Sequence, residues 1–370
     1  MRNRLLIYFL LPVLTAVIYA GCKDDKMPVT HQKNTGWILK PIDTFHLNIP
    51  NEIPYPTQIY QTNSTNRGFS FTYNNDTSQI IIECDFKKNK WKTHIFDFDG
   101  PEGISNFSQY YIDDNGNVFL LPLGGINKVF IFNKKDKLKE VIPYKEYVIK
   151  ANSTKYRCHY TGKMFYMPMV QYTDFKNYGD TKLIKSINTG THKERNLVSV
   201  PDDFFKYHSD NIFDLSPEFV FPNDSIIVFI MRKSPYIHVY DKSSSTVKKY
   251  YFPNENISYT EHDIKMGHDN LDYKDIKGYY HSLLYDKKNK RYFRLSIFNA
   301  GNNRKNAKFD DRRVRIDVFD KKFNHLATGD YKNLFPAYSF IADGKLYINS
   351  KQTKENVKVF TVFALEKDNG

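Results

Sequence analysis

One order of short strands and tight turns recurs along this chain, and it restricts the possible folds more than any other feature. Between Ser108 and Tyr144 the run SQYYI, a DDNGN turn, VFLLPL, a short loop, KVFIFN, a KKDK turn and LKEVIPY gives four strands. The order returns from Glu218 to Phe252 as EFVF, PNDS, IIVFIM, KSP, YIHVY, DKSSS and TVKKYYF. It returns again from Tyr279 to Tyr331 as YYHSLLY, DKKNK, RYFRLSIF, a longer loop, VRIDVF, DKKFN and HLATGDY. Runs of Ile, Val, Tyr and Phe bounded by Asp, Asn, Gly and Lys read as strands and turns, and no long stretch keeps the 3.6-residue apolar period of a helix. The fold class is therefore all-β, and a four-strand unit repeating every ~50 to 60 residues is the mark of a β-propeller.

First strands fall near Thr57, Phe107, Lys155, Glu218, Tyr279 and Ala337, which predicts six units. The last unit lacks a fourth strand: after AYSFI, LYINSK and VKVFTVFAL no further strand follows before Gly370. A spare strand, WILKPIDTFHLNI, lies at Trp37 to Ile49 ahead of the first unit. Lending it to the last unit removes two open sheet edges. The expectation is a six-bladed β-propeller of four-stranded blades, with the N-terminal strand completing the last blade, over residues 37–370. A pair of β-sandwiches is the rival, but no linker interrupts mid-chain.

The N-terminus carries an address. Arg2 and Arg4 precede the apolar run Leu5 to Ala20, which is shorter than the roughly 20 residues of a spanning helix and reads as a secretory signal. It ends in Tyr19-Ala20-Gly21-Cys22, a sequence similar to the bacterial lipobox, in which the thiol is alkylated with diacylglycerol. The expected division is residues 1–21 as signal peptide and 22–36 as a tether lipidated at Cys22 (a palmitate-type anchor), with at least two acyl chains needed for stable attachment. Lys23-Asp24-Asp25 resembles the acidic signal that sends lipoproteins of Bacteroidetes to the outer face of the outer membrane; the periplasmic face is the alternative address.

The formal net charge is +13 over 370 residues, of which Arg2 and Arg4 supply only two. Outside the cytoplasm such a surface draws acidic glycans, lipid-linked phosphates or acidic peptides by long-range attraction. Its lysines are scattered through turns such as KKNK and NKKDK rather than gathered in a basic stripe, so nucleic acid is not an expected partner. The ring is expected to be a monomer. Besides Cys22, only Cys84 and Cys158 remain, in different blades, and they are expected to be buried free thiols.

The lipobox with its acidic followers, the blade turns YDKKNKRYFR (Tyr285 to Arg294) and VYDKSSS (Val239 to Ser245), and the chain length together resemble the six-bladed propeller lipoproteins of Bacteroidetes in the DUF4221 family of unknown function. The resemblance spans most of residues 35 to 366 and implies a fold and an address, with no catalytic residues to carry over.

Read directly, the chain has no nucleophile elbow, phosphate-cradling glycine loop or HExxH helix, and no cofactor is expected. His262-Asp263 with His268-Asp269 is the nearest approach to a metal cluster, and a polar loop explains it as well. Asp202, Asp203, His208 and Asp210 offer carboxylates beside an imidazole, which general acid–base work requires if they converge. Propeller geometry supplies another set. First strands line the channel, so its entrance is expected to receive Tyr110, Arg157, His159, Phe219, Tyr280, His281 and Tyr338, with Arg232 at the end of a second strand and Arg304 in a loop above. Aromatic rings and guanidinium groups suit stacked sugars and carboxylates. Two readings follow from different classes: a binding module for a glycan or peptide, or a glycan-acting lyase or hydrolase at the channel mouth. A structural part of an outer-membrane assembly is a third.

Overall fold

The computed structural model describes residues 36–48, 58–61, 69–74, 76–85, 90–99, 103–104, 107–122, 126–145, 158–168, 182–203, 217–257, 278–299, 312–350 and 357–368. These form 24 strands in six four-stranded antiparallel sheets. The first sheet takes β2 (Gln58–Gln61), β3 (Phe69–Asn74), β4 (Ser78–Asp85) and β5 (Lys90–Asp97). The second takes β6 (Phe107–Ile112), β7 (Val118–Pro122), β8 (Lys128–Phe132) and β9 (Leu138–Pro143). The third holds β10 (His159–Thr161), β11 (Met164–Pro168), β12 (Lys182–Asn188) and β13 (Glu194–Ser199), and the fourth β14 (Glu218–Val220), β15 (Ile226–Ile230), β16 (Tyr236–Asp241) and β17 (Thr246–Tyr251). The fifth is β18 (Gly278–Asp286), β19 (Arg291–Asn299), β20 (Arg312–Asp320) and β21 (His325–Lys332). In the last sheet β22 (Leu334–Ala342), β23 (Lys345–Ser350) and β24 (Val357–Lys367) are joined by β1 (Trp37–Asn48), which pairs with β24 from Trp37↔Lys367 to Asn48↔Val357. Sequential hairpins with sheets of equal size make the chain a β-propeller, and its N-terminal strand completes the last sheet.

Packing explains why the strands read as they do. Each apolar cluster spans one pair of consecutive sheets: Ile81 and Phe96 meet Tyr110 and Ile112, and Phe119 and Val129 meet Phe165 and Met167. Onward, Leu183 packs with Phe229, Val228 with Leu283, and Leu295 with Ile348. Leu47, Phe340 and Phe360 then meet Ile80 and Cys84 of the first sheet, so the row of sheets returns to its start. A sheet packed on both faces needs apolar residues at successive positions, which is why VFLLP and IIVFI do not alternate. Fourth strands such as TVKKYY lie outermost and lose that continuity.

The turns are set by local chemistry. Asp286 Oδ1 accepts from the amides of Lys288 and Asn289, and Asp320 Oδ1 from those of Lys322 and Asn324. The acid folds back into the turn while its lysines stay exposed. Asp343 and Gly344, with φ of 50° and 79°, make the two-residue turn between β22 and β23, matching the positive φ that a type I′ hairpin requires.

Buried polar groups pin the segments leaving the second and fourth sheets to the sheets that follow. Lys185 on β12, almost wholly buried, donates to Lys145 O at 2.7 Å and pairs with Glu194 at 2.7 Å. On β20, Arg315 binds Asp330 with two hydrogen bonds and reaches Asn254 and Glu255 beyond β17. Its neighbour Arg294, on β19, donates to Asp317 and to the carbonyls of Pro235 and Phe252. A guanidinium this deeply buried needs such partners. Cys84, in β4, and Cys158, just before β10, are buried thiols not joined by a disulfide, and Cys158 Sγ donates to Gln109 Oε1 at 2.8 Å.

Ring closure is testable at β1. Leu47, 2 % exposed, sits in the cluster joining the last sheet to the first. Leu47→Ala should lower unfolding free energy by about 2–5 kcal/mol, the range for emptying a packed leucine site. Urea denaturation followed by tyrosine fluorescence measures it, and a loss within error would show that the last sheet does not depend on β1.

Candidate functional site

Antiparallel hairpins sort the molecule into two ends. Turns between first and second and between third and fourth strands lie at one end. Second and fourth strands end at the other, where the channel mouth is expected. Arg232 sits there, just past β15, and the Tyr280 amide donates to its carbonyl at 2.8 Å. Its guanidinium lies 4.3 Å from the ring centroid of Tyr279, and no carboxylate pairs with it among the described residues. Beside Tyr279, at 5.9 Å between rings, is His281, in a break of register between Tyr280 and Ser282. A bulge re-aims a side chain that regular alternation would send elsewhere. The imidazole Nδ1 is 2.6 Å from Ser282 Oγ.

Several expected mouth residues are placed in seams. Tyr280 is 2 % exposed, beneath the Arg294 guanidinium at 4.5 Å, and its hydroxyl accepts from the Asn254 amide. Burial pushes that phenol up to about 12, so it stays neutral. Tyr110 is buried and donates to Ser70 Oγ across the seam between first and second sheets, at 2.8 Å. Phe219 is buried edge-on against Phe221. Tyr338 is half-buried, with Lys358 Nζ 5.1 Å from its ring centre. The structure thus brings Arg232, Tyr279, Tyr280 and His281 together and places Tyr110, Phe219 and Tyr338 in or against three other apolar clusters.

His159 lies toward the turn end. Its ring stacks on Phe221 at 4.0 Å, and burial, then the charges of Lys287 and Lys242, pull the imidazole well below its ordinary value. It is neutral at physiological pH. Near it, Lys242 donates to the Tyr166 hydroxyl at 2.7 Å; burial and Asp224 push that phenol up to about 12.

Asp203 meets an imidazole of the next sheet, that of His238. His238 Nε2 is 3.1 Å from the carboxylate, Ser234 Oγ donates to it at 2.6 Å, and Lys249 pairs at 2.8 Å. Serine touches the acid and not the ring, and both His238 and Ser234 are fully sealed, so this trio is a tie between the third and fourth sheets and not a nucleophilic triad. Asp202 is exposed beside it. Among the described residues no group of three or more His, Cys, Asp or Glu is arranged to hold a metal ion. Cys22, Arg157, His208, Asp210, His262, Asp263, His268, Asp269 and Arg304 lie outside the described residues.

Tyr279 and the His238 and Arg294 ties escaped the sequence reading. A charged or imidazole side chain inside an apolar strand, as in YIHVY and RYFRLSIF, is the signal that could have found the ties.

A family model described as "Domain of unknown function (DUF4221)" matches residues 41–327. The chain belongs to this family. A solved member of the DUF4221 family from Bacteroides vulgatus is similar over 90 % of this chain and 100 % of its own, with a TM-score of 0.70 at 12 % identity. A protein from Bacteroides fragilis, whose name marks it as exported, is similar over 89 % and 96 % with a TM-score of 0.52 at 11 % identity. At these identities the likeness establishes the propeller fold alone. No curated protein matches the chain.

Burial alone would raise the Asp203 carboxyl, but the His238, Lys249 and Ser234 contacts outweigh it and hold the group well below the usual carboxylate range. A depressed folded value stabilises above the unfolded value near 3.9 and is lost as pH falls through the folded one. Asp203→Asn should therefore destabilise by a constant amount above pH ~5, with the gap to the parent narrowing as acid is added below ~4. Thermal melts from pH 2 to 7 test this; a gap that widens in acid would reverse the assignment.

Proposed function

We propose that this DUF4221 protein is an exported, lipid-anchored binding module that captures an anionic glycan or peptide at its channel mouth. One observation carries the reading: Arg232 lies on the face of Tyr279 without an acid partner among the described residues. A guanidinium stacked on an aromatic ring keeps its fork of donors free for a carboxylate, and the ring offers a surface to a flat or CH-rich ligand face. His281 borders the same spot, and the net positive charge that remains without Arg2 and Arg4 draws anions to the protein.

The path of β1 supports the anchored geometry. Trp37 pairs with Lys367, the last residue of β24, so β1 enters the sheet at the turn end. A lipid on Cys22 then sets the turn end toward the membrane and Arg232 away from it, in reach of large ligands. The exported Bacteroides fragilis relative agrees with an address in the cell envelope, and Lys23-Asp24-Asp25 favours its outer face.

Two measurements test the reading. Cys22→Ser should move the protein from the membrane to the soluble fraction. On an array of acidic and neutral glycans and peptides, the parent should prefer acidic members. Arg232→Ala should weaken binding about tenfold, as expected for one charge-assisted contact of roughly 1.5 kcal/mol, and Arg232→Lys should restore part of it. Equal binding by parent and alanine variant would place the ligand elsewhere.

A further inference from the structure

At the opposite end, a cleft of about 640 Å³ opens between the fourth and fifth sheets. Its volume lies within the roughly 300–1,000 Å³ of small-molecule sites. Four rings form a ladder along it: Tyr285 beside Tyr292 at 4.8 Å, Tyr292 stacked on Phe323 at 4.8 Å, and Phe323 against Tyr250 at 4.6 Å. The inner two are buried, whereas Tyr285 and Tyr250 at its ends are half-buried and keep surface toward the cleft.

Phe323 shows that the ladder is held against a local cost. Its φ is 63°, in the turn between β20 and β21, where a bulky side chain is disfavoured. In the other described turns between third and fourth strands the residues with positive φ are Asp136, His192 and Ser245, all polar and none a buried apolar ring. Burial raises the phenols of Tyr292 and Tyr285 above their ordinary value, so both remain neutral hydroxyls.

The charge around the ladder is one-sided. Lys248, Lys290 and Lys321 line the cleft and are exposed, and Asp241 is the single lining acid. Asp241 Oδ1 already accepts from the Ser243 amide and hydroxyl, which keeps it folded into its own turn. Three ammonium groups thus share a cleft with half-open tyrosine faces and with the small polar side chains of Asn223 and Thr246. Ammonium groups select a carboxylate, tyrosine faces stack the CH-rich face of a saturated ring, and amide and hydroxyl groups match ring hydroxyls.

We propose that this cleft is a second binding site, distinct from the mouth, and that it takes an acidic sugar. The claim does not rest on the reading of Arg232, because the two sites share no residue and lie at opposite ends.

The test uses the full-length protein with glucuronate, glucose and acetate as probes, followed by saturation-transfer NMR and calorimetric titration. Glucuronate should show saturated ring protons and bind at least tenfold more tightly than glucose, and acetate should not compete at equal concentration. Lys290→Gln and Lys321→Gln, exposed changes whose folding is checked by circular dichroism, should each weaken glucuronate about tenfold. Tyr285→Leu, which keeps apolar bulk without a ring, should weaken both sugars, and Arg232→Ala should change neither. The proposal is overturned if glucuronate and glucose bind alike, if no sugar binds, if acetate competes fully, if the lysine or Tyr285 variants match the parent, or if Arg232→Ala removes glucuronate binding.

Discussion

The structure depends on the fact that no sheet has a solvated face of its own. Each of the seams between consecutive sheets is one apolar cluster, and each sheet contributes to two of them. A row of such sheets always leaves two apolar faces bare unless it bends until its ends meet. Closure is thus the condition under which all the other seams become stable, and the pairing of β1 with β24 supplies it. That pairing also covers the exposed ladder of β24 and gives Leu39 and Leu47 their places in the seams on either side.

Apolar packing does not by itself fix how one sheet sits against the next, because greasy faces slide. The buried polar ties address this. Lys185, His238 and Arg315 occupy third strands of successive sheets, and each reaches the segment arriving from the sheet before. Directional bonds made out of water are costly to break one-sidedly, so they select one register of sheet on sheet. Potential acid–base groups are consumed in this work: the imidazole of His238 and the carboxylate of Asp317 both sit inside ties. The two proposed sites, at Arg232 on Tyr279 and around the ladder, use residues outside these ties.

The fold was legible because propeller repeats write themselves twice, in strand composition and in turn chemistry. VFLLPL reads as a strand and DKKNK as a turn, and the structure adds that the strand is buried along its whole length and that the aspartate caps amides of its own turn. The orphan strand at Trp37 and the missing fourth strand after β24 could be matched by edge-pairing logic alone. The site was less legible. First-strand position suggests proximity to the channel, but alternation in β18 sends Tyr280 into a seam, while a break of register sets His281 beside Tyr279. Bulges and seam contacts come from three-dimensional packing, which single-strand patterns do not encode. Likewise Asp203 had an imidazole partner, but His238 lies in another sheet and not in the same loop.

The place of β1 has a consequence for the order of assembly. This strand is made before every other one described, yet its only ladder partner, β24, is made last. Until β24 exists, β1 must wait without hydrogen-bond partners while the intervening sheets form from local hairpins. The early steps are therefore fast and local, and the final one joins residues at the greatest sequence separation in the molecule, where loop-closure entropy is largest. An unfinished ring exposes both a bare sheet face and an unpaired strand, so the interval before that last docking is when the chain is most exposed to aggregation and proteolysis.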